Sequence, residues 1–490
     1  MSEPAASASE ESRAGKGLVW KGVQLGITKV MYLGGTLVLG YLLTPLDFGY
    51  VAVALVATSS LLTATDPGMT PALVQAHESV PENYDVAWTI GLGRALLICA
   101  LLFFGAPLIA LLFGDARAGA LVRIMSAWPV LTALASPRVA DLIRAFRFRS
   151  LAAIAIASVT VETAVSIGLA RKLGGEAIIL GKLSGAATGC VASYLAAPYT
   201  PVLRISFGPA RQLMAFGRWL FAIGLTAVLG DLFLRVLISR VLGVQALGLF
   251  SLADRLAEAP IQMAGEATGS VALALYARLR TDSARLSAAV HAHLLGVMVF
   301  LLPATALIVA LAWPLEHYVL GPAWAGATPL IIILALAYAV ELSFMAVSPL
   351  LQGLGAGRLL FGLELAQYIV LVGGVATLTV PFALLGAGWA RLAASVVVLL
   401  AGAYALRTSV GGKLPRIRSG AAALLFSAIF GGGIAYLIAV RVPNILGIVI
   451  GGALGMAGFL GAAILWDRGF NIGIRAALGV FFPILAPRAA

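Results

Sequence analysis

The chain has 490 residues, of which 61% are hydrophobic and 11% are charged, and its formal net charge is +12. Soluble domains contain about 25% charged residues, so this composition excludes a soluble globular protein. It predicts a polytopic helical membrane protein, whose function must lie in what its helices enclose.

Apolar stretches fill the chain almost from end to end. Residues 1–16 come first; they are small, polar and mixed in charge, and they lack the apolar core of a secretory signal, which predicts a disordered cytoplasmic tail. A helix crosses the hydrocarbon core with about 20 apolar residues, and about 14 stretches reach that length. These spans are predicted at roughly 18–43, 47–75, 86–113, 118–141, 151–170, 176–197, 213–238, 246–275, 287–313, 327–351, 358–380, 384–406, 419–440 and 444–466.

The basic residues predict the orientation, because Lys and Arg in short loops mark the cytoplasmic side. Eighteen of them lie in the tails and in one alternate set of loops, and five lie in the opposite set. Both termini are therefore predicted in the cytoplasm, and residues 314–326 form the longest outward loop. The positive charge follows the side of the loops, so it does not indicate a nucleic-acid partner.

The chain also repeats itself after about 200 residues. With one constant offset, Trp20 matches Trp219, Leu43 matches Leu242, and Gly49 matches Gly248. Parallel repeats are typical of transporters in which two helix bundles surround a central pathway. We therefore predict an N-lobe at 17–200, a C-lobe at 201–410, two further helices at 411–466 and a cytoplasmic tail at 467–490.

One stretch reads LGYLLTPLDFGYVAVALVATSSLLTATDPGMTPALVQ. It resembles the oligosaccharide (Wzx-type) flippases of the multidrug/oligosaccharidyl-lipid/polysaccharide (MOP) superfamily, and it is most similar to their colanic-acid and xanthan-type members. Further matches are RAFRFRSLA, RVLGVQALGLFSLADRLAEAP, LQGLGAGR and GAGWARLAA. One departure is Asp66-Pro67-Gly68, where the family often has Asp-Leu-Gly; the proline predicts a kink or break in the second span.

The resemblance implies a fold and a function together. The expected fold is an all-α polytopic membrane protein of about 14 transmembrane helices, with two repeated six-helix lobes around a central cavity and two C-terminal helices. The expected activity is movement of an undecaprenyl-diphosphate-linked oligosaccharide from the cytoplasmic to the periplasmic leaflet of a bacterial inner membrane, by alternating access. Such a protein is not an enzyme and has no catalytic residues. Its partners are that lipid-linked sugar and membrane lipid, with the polysaccharide polymerase and export machinery as further candidates.

Basic residues inside predicted spans are candidates for binding the diphosphate, which needs fixed cations. Lys29 is the best of them, since it lies one or two turns deeper than Lys21 and near the same helix face. Lys21 and Arg218 have an alternative role as interfacial anchors. The other candidates are Arg94, Lys182, Arg235 and Arg391, of which Lys182 and Arg391 could instead form structural pairs with Glu162 and Glu364.

Acidic residues inside the spans are candidates for coupling transport to a proton or sodium ion. Asp66 lies beside the predicted helix break and could instead cap it. Asp231 is four residues before Arg235, a spacing that also fits a self-neutralising pair. The complete set of coupling candidates is Asp66, Asp231, Glu266, Glu341 and Glu364.

Other classes of function find less support in the sequence. The histidines and cysteines form no cluster with metal-ligand spacing, so no metal site and no cofactor are predicted. No GxxxxGK[ST] phosphate loop occurs, which argues against an ATP-driven pump. The main alternative is a cation-coupled exporter of drugs or small solutes from the same superfamily. A membrane polymerase or ligase is a third reading, but it would need a large outward catalytic loop.

Overall fold

The computed structural model describes residues 3–66, 73, 81–145, 147–204, 218–409 and 417–470, and within them it is helical, with no strand. The α-helices are α1 (Glu3–Leu42), α2 (Pro45–Ala64), α3 (Pro81–Phe113), α4 (Ala118–Met125), α5 (Ala127–Ala133), α6 (Val139–Arg144), α7 (Phe148–Leu173), α8 (Glu176–Ala196), α9 (Arg218–Leu242), α10 (Val244–Leu279), α11 (Ser283–Leu315), α12 (Ala327–Val340), α13 (Phe344–Gly353), α14 (Gly357–Ser409), α15 (Ile417–Arg441) and α16 (Ile445–Phe470). Short π and 3-10 turns lie between α11 and α12 and between α12 and α13.

Eleven helices in the described ranges are long and apolar enough to cross a membrane. The chain is therefore a multi-pass membrane protein, although the predicted count of 14 spans stays a prediction. The structure differs from the predicted spans at two places. The 53-residue helix α14 contains one non-helical residue, Ala383 (φ 49°, ψ −134°), so two predicted spans are joined across a kink there. The predicted fourth span is divided into the short helices α4, α5 and α6.

The chain divides into two compact units, residues 1–248 and 249–490. Helix α9 and the first turn of α10 belong to the first unit, so this division differs from the lobe boundary predicted at residue 200. That boundary follows the sequence repeat rather than compactness, and the lobes remain a prediction. In the second unit, α15 and α16 pack on α11 through Leu295, Leu424 and Phe459, among other apolar side chains.

The sequence predicts a disordered tail at 1–16. The structure differs, because helix α1 begins at Glu3 and runs without a break to Leu42. Extending an existing helix adds a hydrogen bond per residue without a new nucleation step. The tail is rich in Ala and Glu and has no Gly between Glu3 and Ala14, so nothing in its sequence stops the helix. At the other end, α16 continues to Phe470, and the rest of the predicted tail, 471–490, lies outside the described residues.

The turns that the repeat relates lie against each other in the first unit. Helix α1 ends at Leu42 and α2 begins at Pro45; in the second copy α9 ends at Leu242 and α10 begins at Val244. A Cβ on Gly49 would lie 2.1 Å from the Val244 carbonyl oxygen, and one on Gly248 would lie 1.7 Å from the Pro45 carbonyl oxygen. The contact is reciprocal, as a two-fold relation between the two copies requires, and only glycine fits at either position.

Neighbouring turns are joined to this contact by polar side chains. Asp47 closes a capping box with Thr44 and also accepts a hydrogen bond from the Gly175 backbone at 3.1 Å. Ser239 donates to the Phe113 carbonyl at 2.6 Å, and the Arg240 Nε donates to the Leu112 carbonyl at 2.8 Å. The bonds from Ser239 and Arg240 satisfy the last carbonyls of α3, which have no partner within their own helix.

Candidate functional site

A cavity of about 680 Å³ lies inside the first unit, between α2, α3, α5, α7 and α8. Ligand-binding cavities in proteins usually measure about 300–1,000 Å³. Helical spacing explains the lining: α7 contributes residues four apart, and α8 contributes residues three and four apart, so each helix presents one face. The polar and charged lining residues are Asp66, Arg94, Thr132, Ser136, Ser158, Glu162, Lys182 and Ser193, together with the indoles of Trp88 and Trp128 and the thiol of Cys190.

Small residues on α8 set the geometry of the cavity floor. A Cβ on Gly185 would lie 2.8 Å from the Glu162 Cβ, and one on Gly181 would lie 2.5 Å from the Glu162 carbonyl oxygen. The two helices therefore approach closely over this stretch, as small residues allow in membrane proteins. The close approach brings Glu162 of α7 next to Lys182 of α8.

Lys182 is held by two partners. Its Nζ lies 3.4 Å from the Glu162 Oε1 and 5.2 Å from the centre of the Trp128 ring, within the range of a cation–π interaction. The side chains are 23% and 27% exposed for Lys182 and Glu162, so both can contact the cavity contents. The predicted pair of Lys182 with Glu162 is confirmed, and the ammonium charge is already balanced.

Arg94 binds the C-terminal end of α2. Its Nη1 lies 3.7 Å from the Asp66 Oδ1, its Nε donates to the Thr65 hydroxyl at 2.9 Å, and its Nη2 donates to the Leu62 carbonyl. A guanidinium at a helix C-terminus binds carbonyls that have no helical partner. The break predicted near Pro67 is consistent with α2 ending at Ala64, although Pro67 and Gly68 lie outside the described residues. Arg94, rather than Asp66, caps the broken helix.

A polar cluster lies beside the cavity, next to the lining residues Val139 and Ala140. The Tyr84 hydroxyl donates to the Asp141 carboxylate at 2.5 Å, and the Arg144 Nη2 lies 2.6 Å from the same carboxylate. Tyr199 donates to the Asp85 carboxylate at 2.6 Å. Burial, reinforced by that hydrogen bond, raises the pKa of the Tyr199 hydroxyl to about 12, so it stays a protonated donor at cellular pH.

The second unit contains a separate buried cluster around Glu341, which lies where the helix is interrupted between α12 and α13. Its Oε1 accepts hydrogen bonds from the Gln367 Nε2 at 2.8 Å and the Ser395 hydroxyl at 2.9 Å. The Arg391 Nη2 lies 3.2 Å from the same oxygen, and the two side chains are only 17% and 12% exposed for Arg391 and Glu341. The cluster is a buried ion pair with its hydrogen-bonding capacity largely used.

Arg391 is further fixed by an aromatic neighbour. Its guanidinium carbon lies 4.9 Å from the centre of the Tyr338 ring, and the Tyr338 hydroxyl donates to Asp254 at 2.7 Å. The sequence offered Glu364 as the partner of Arg391, whereas the ion pair forms with Glu341; the interruption after Val340 turns Glu341 towards α14. A guanidinium held this way would have to leave a buried carboxylate before it could bind a diphosphate.

Lys29 lies half-buried on α1, on a face that differs from the exposed one. The exposed apolar side chains of this helix include Val23, Val30 and Tyr41. Lys29 is instead seven residues before the buried Thr36, a spacing that places the two on one face. The ammonium therefore does not project from the apolar surface of the helix.

The remaining predicted residues have different surroundings. The Arg235 Nε lies 2.9 Å from Asp231, so the predicted i,i+4 pair is confirmed. Glu266 is exposed on α10. Lys21 and Arg218 lie on the backbones of α1 and α9, but their side chains are outside the described part of the chain. The structure thus brings Arg94, Lys182 and Asp66 to one cavity, and Glu341 and Arg391 to a second cluster.

Sequence reasoning missed Trp88 and Trp128, because it searched the spans only for charged residues.

Comparison with known proteins agrees with this architecture. Residues 38–329 match the family described as polysaccharide biosynthesis protein. The chain is 29% identical over 344 residues to the succinoglycan biosynthesis transport protein ExoT of Rhizobium meliloti (strain 1021), covering 69% of each chain.

Solved structures show the same fold at low sequence identity. The lipid II flippase MurJ in an inward closed conformation is 14% identical with a TM-score of 0.71, over 92% of this chain and 99% of that one. An inward-facing multidrug resistance MATE family transporter is 17% identical with a TM-score of 0.56, over 78% and 95%. With more than half of its length matched, the chain belongs to the family described as polysaccharide biosynthesis protein.

Proposed function

We propose that the protein is a flippase that moves an undecaprenyl-diphosphate-linked oligosaccharide from the cytoplasmic to the periplasmic leaflet of a bacterial inner membrane. The observation that carries the proposal is the match to a succinoglycan transport protein over 69% of both chains. The fold shared with a lipid II flippase supports it. The product would serve exopolysaccharide, capsule or O-antigen synthesis, and no bond is made or broken.

In this proposal the diphosphate binds at Lys29. Arg94, Lys182 and Arg391 each already lie beside a carboxylate, so their charge is largely neutralised before any ligand arrives. Lys29 is half-buried within an apolar helix, and charged residues inside membrane spans commonly serve a function. Binding of the anionic headgroup is the function proposed for it.

Alternating access is the proposed mechanism, with a coupling proton or sodium ion. Among the coupling candidates, Glu341 is held by Arg391 and Asp231 by Arg235. Asp66 is 63% exposed and lines the cavity of the first unit, so an ion from solution can reach its carboxylate. Both termini and the basic loops are placed in the cytoplasm by the distribution of Lys and Arg.

A cation-coupled exporter of drugs or small solutes is the second candidate, since a MATE family transporter shares the fold at a TM-score of 0.56. The two candidates are separated by a strain that lacks the gene. A flippase deletion should abolish surface polysaccharide while the lipid-linked unit is still made. An exporter deletion should leave polysaccharide unchanged and raise sensitivity to cationic drugs, which would contradict the proposal.

A further inference from the structure

The cavity of the first unit has no surplus of positive charge. Its lining contains two cations, Arg94 and Lys182, and two carboxylates, Asp66 and Glu162. Each cation lies near one carboxylate, at 3.7 Å and 3.4 Å. An anionic diphosphate needs cations beyond those already neutralised. The cavity is therefore matched to a polar but uncharged ligand.

The aromatic side chains of the cavity indicate what kind of uncharged ligand it could bind. Trp128 lies against the Lys182 ammonium, and both Trp128 and Trp88 line the cavity. The Trp88 Nε1 atom is buried, and the Tyr194 hydroxyl lies close enough to interact with it. Indoles offer a wide apolar surface with one polar edge. Sugar rings have the complementary form, since their C–H faces pack on aromatic rings and their hydroxyls bond to polar groups around the rim.

Hydroxyl groups complete the lining. Ser136 in the loop after α5, Ser158 on α7 and Ser193 on α8 lie around the same cavity. Each hydroxyl donates to a backbone carbonyl, so its oxygen remains an acceptor for a ligand. In each ion pair of the cavity, the carboxylate can accept a hydrogen bond from a neutral hydroxyl and the cation can donate one. Neither bond changes the net charge of the site. A few convergent polar groups among apolar walls are what fixes a ligand's orientation.

We propose that this cavity is a subsite for the neutral sugar rings of the transported molecule, separate from the place that binds its diphosphate. The inference rests on the proposed function and assigns the glycan to the first unit. It gives Trp128 and Trp88 a stacking role and gives the charged pairs a role in hydrogen bonding to hydroxyls.

Cys190 is a native reporter of this cavity, because it is one of the lining residues and the chain has only two cysteines. In a Cys99→Ser background, the rate of Cys190 alkylation by a maleimide would be measured in inside-out membrane vesicles. The vesicles would contain either the host's complete undecaprenyl-diphosphate-linked oligosaccharide or undecaprenyl diphosphate without sugar. We expect the sugar-bearing lipid to slow alkylation about fivefold, corresponding to ~1 kcal/mol, and the sugarless lipid to have no effect.

Equal protection by both lipids would overturn the proposal, since it would place the diphosphate in the cavity. Absence of protection by either lipid would also overturn it. Polysaccharide export by the same Cys99→Ser protein decides whether the proposed function stands in that case, so the two failures are distinguishable.

Variants of Trp128 provide the second test. Trp128→Leu should abolish the protection and reduce export about fivefold, whereas Trp128→Phe, which keeps a ring, should retain most of both. An unchanged alkylation rate without lipid shows that the variant is folded. Trp389→Leu removes an indole that is 48% exposed and outside the cavity, and it should behave as the unaltered protein. Full protection in Trp128→Leu would contradict the stacking role.

Discussion

At the scale of single residues, several charges inside the helices form ion pairs: Lys182 with Glu162, Arg391 with Glu341, and Arg235 with Asp231. The sequence identified these residues as candidates, because charged residues are rare in this chain. It could not decide which of them form structural pairs, because the partners of Lys182 and Arg391 lie 20 and 50 residues away. Only tertiary packing shows that Glu341, rather than Glu364, meets Arg391.

Lys29→Ala should insert and express normally yet lose most of its export activity. A lysine at the centre of a membrane helix is unfavourable by roughly 2.5–3.5 kcal/mol on the insertion scale, so replacing it with alanine should not harm insertion. Lys29→Arg should retain part of the activity, since the charge stays while its geometry changes. Polysaccharide output would be measured in a deletion strain and normalised to protein in the membrane. Lys172→Ala, at the exposed end of α7, is the matched control. Full output from Lys29→Ala would remove this residue from the site.

Arg391→Leu should destabilise the purified protein by about 3–5 kcal/mol, because it leaves the buried Glu341 carboxylate without its partner. The double variant Glu341→Gln, Arg391→Leu should recover much of that loss, since no uncompensated charge remains. Thermal unfolding in detergent measures both. If Arg391→Leu were fully stable but inactive, the residue would be a ligand of the substrate and the structural interpretation would be wrong.

At the scale of the elements, the repeat predicted from sequence has a physical counterpart in the turns after α1 and α9. The offset that aligns Gly49 with Gly248 also aligns Pro45 with Val244, and these four residues form the reciprocal contact. The sequence showed that both positions are glycine. It could not show that the two turns touch, since the contact joins segments about 200 residues apart.

Gly248→Ala should destabilise the protein by about 1–3 kcal/mol, because even one methyl group would overlap the Pro45 carbonyl. Gly34→Ala is the control: a Cβ there meets no other atom within 4 Å, and alanine favours a helix over glycine. The comparison is made by thermal unfolding in one detergent. Equal stability of the two variants would show that the reciprocal contact contributes nothing to the fold.

The helix boundaries were predicted from the sequence only in part. The predicted spans locate most helices, because apolar stretches and basic loops persist along the chain. The break at Ala383 was predicted, because it falls between the predicted spans 358–380 and 384–406, and Pro381 lies beside it. The interruptions around Ser126 and Glu341 were not predicted, since each depends on packing against neighbouring helices. The α2 end near Asp66 was predicted, because Pro67 gives a local signal.

At the scale of the whole molecule, the account predicts cytoplasmic termini and an outward loop around Gly321. A reporter that is active only outside the cytoplasm should be active when fused at Gly321. A reporter that is active only in the cytoplasm should be active when fused after Phe470. The bias of Lys and Arg between alternate loops is the reason. A cytoplasmic location for Gly321 would reverse the direction assigned to every helix.

The central claim is transport of a lipid-linked oligosaccharide, and the leaflet in which that lipid accumulates tests it most directly. Spheroplasts of a deletion strain, with the biosynthetic enzymes intact, would be exposed to a membrane-impermeant glycan-modifying enzyme. We predict that the lipid-linked unit is made in normal amounts but stays protected in the inner leaflet, and that the restored gene makes it accessible. A unit that is fully accessible in the deletion strain, or one that is no longer synthesised, would contradict the account.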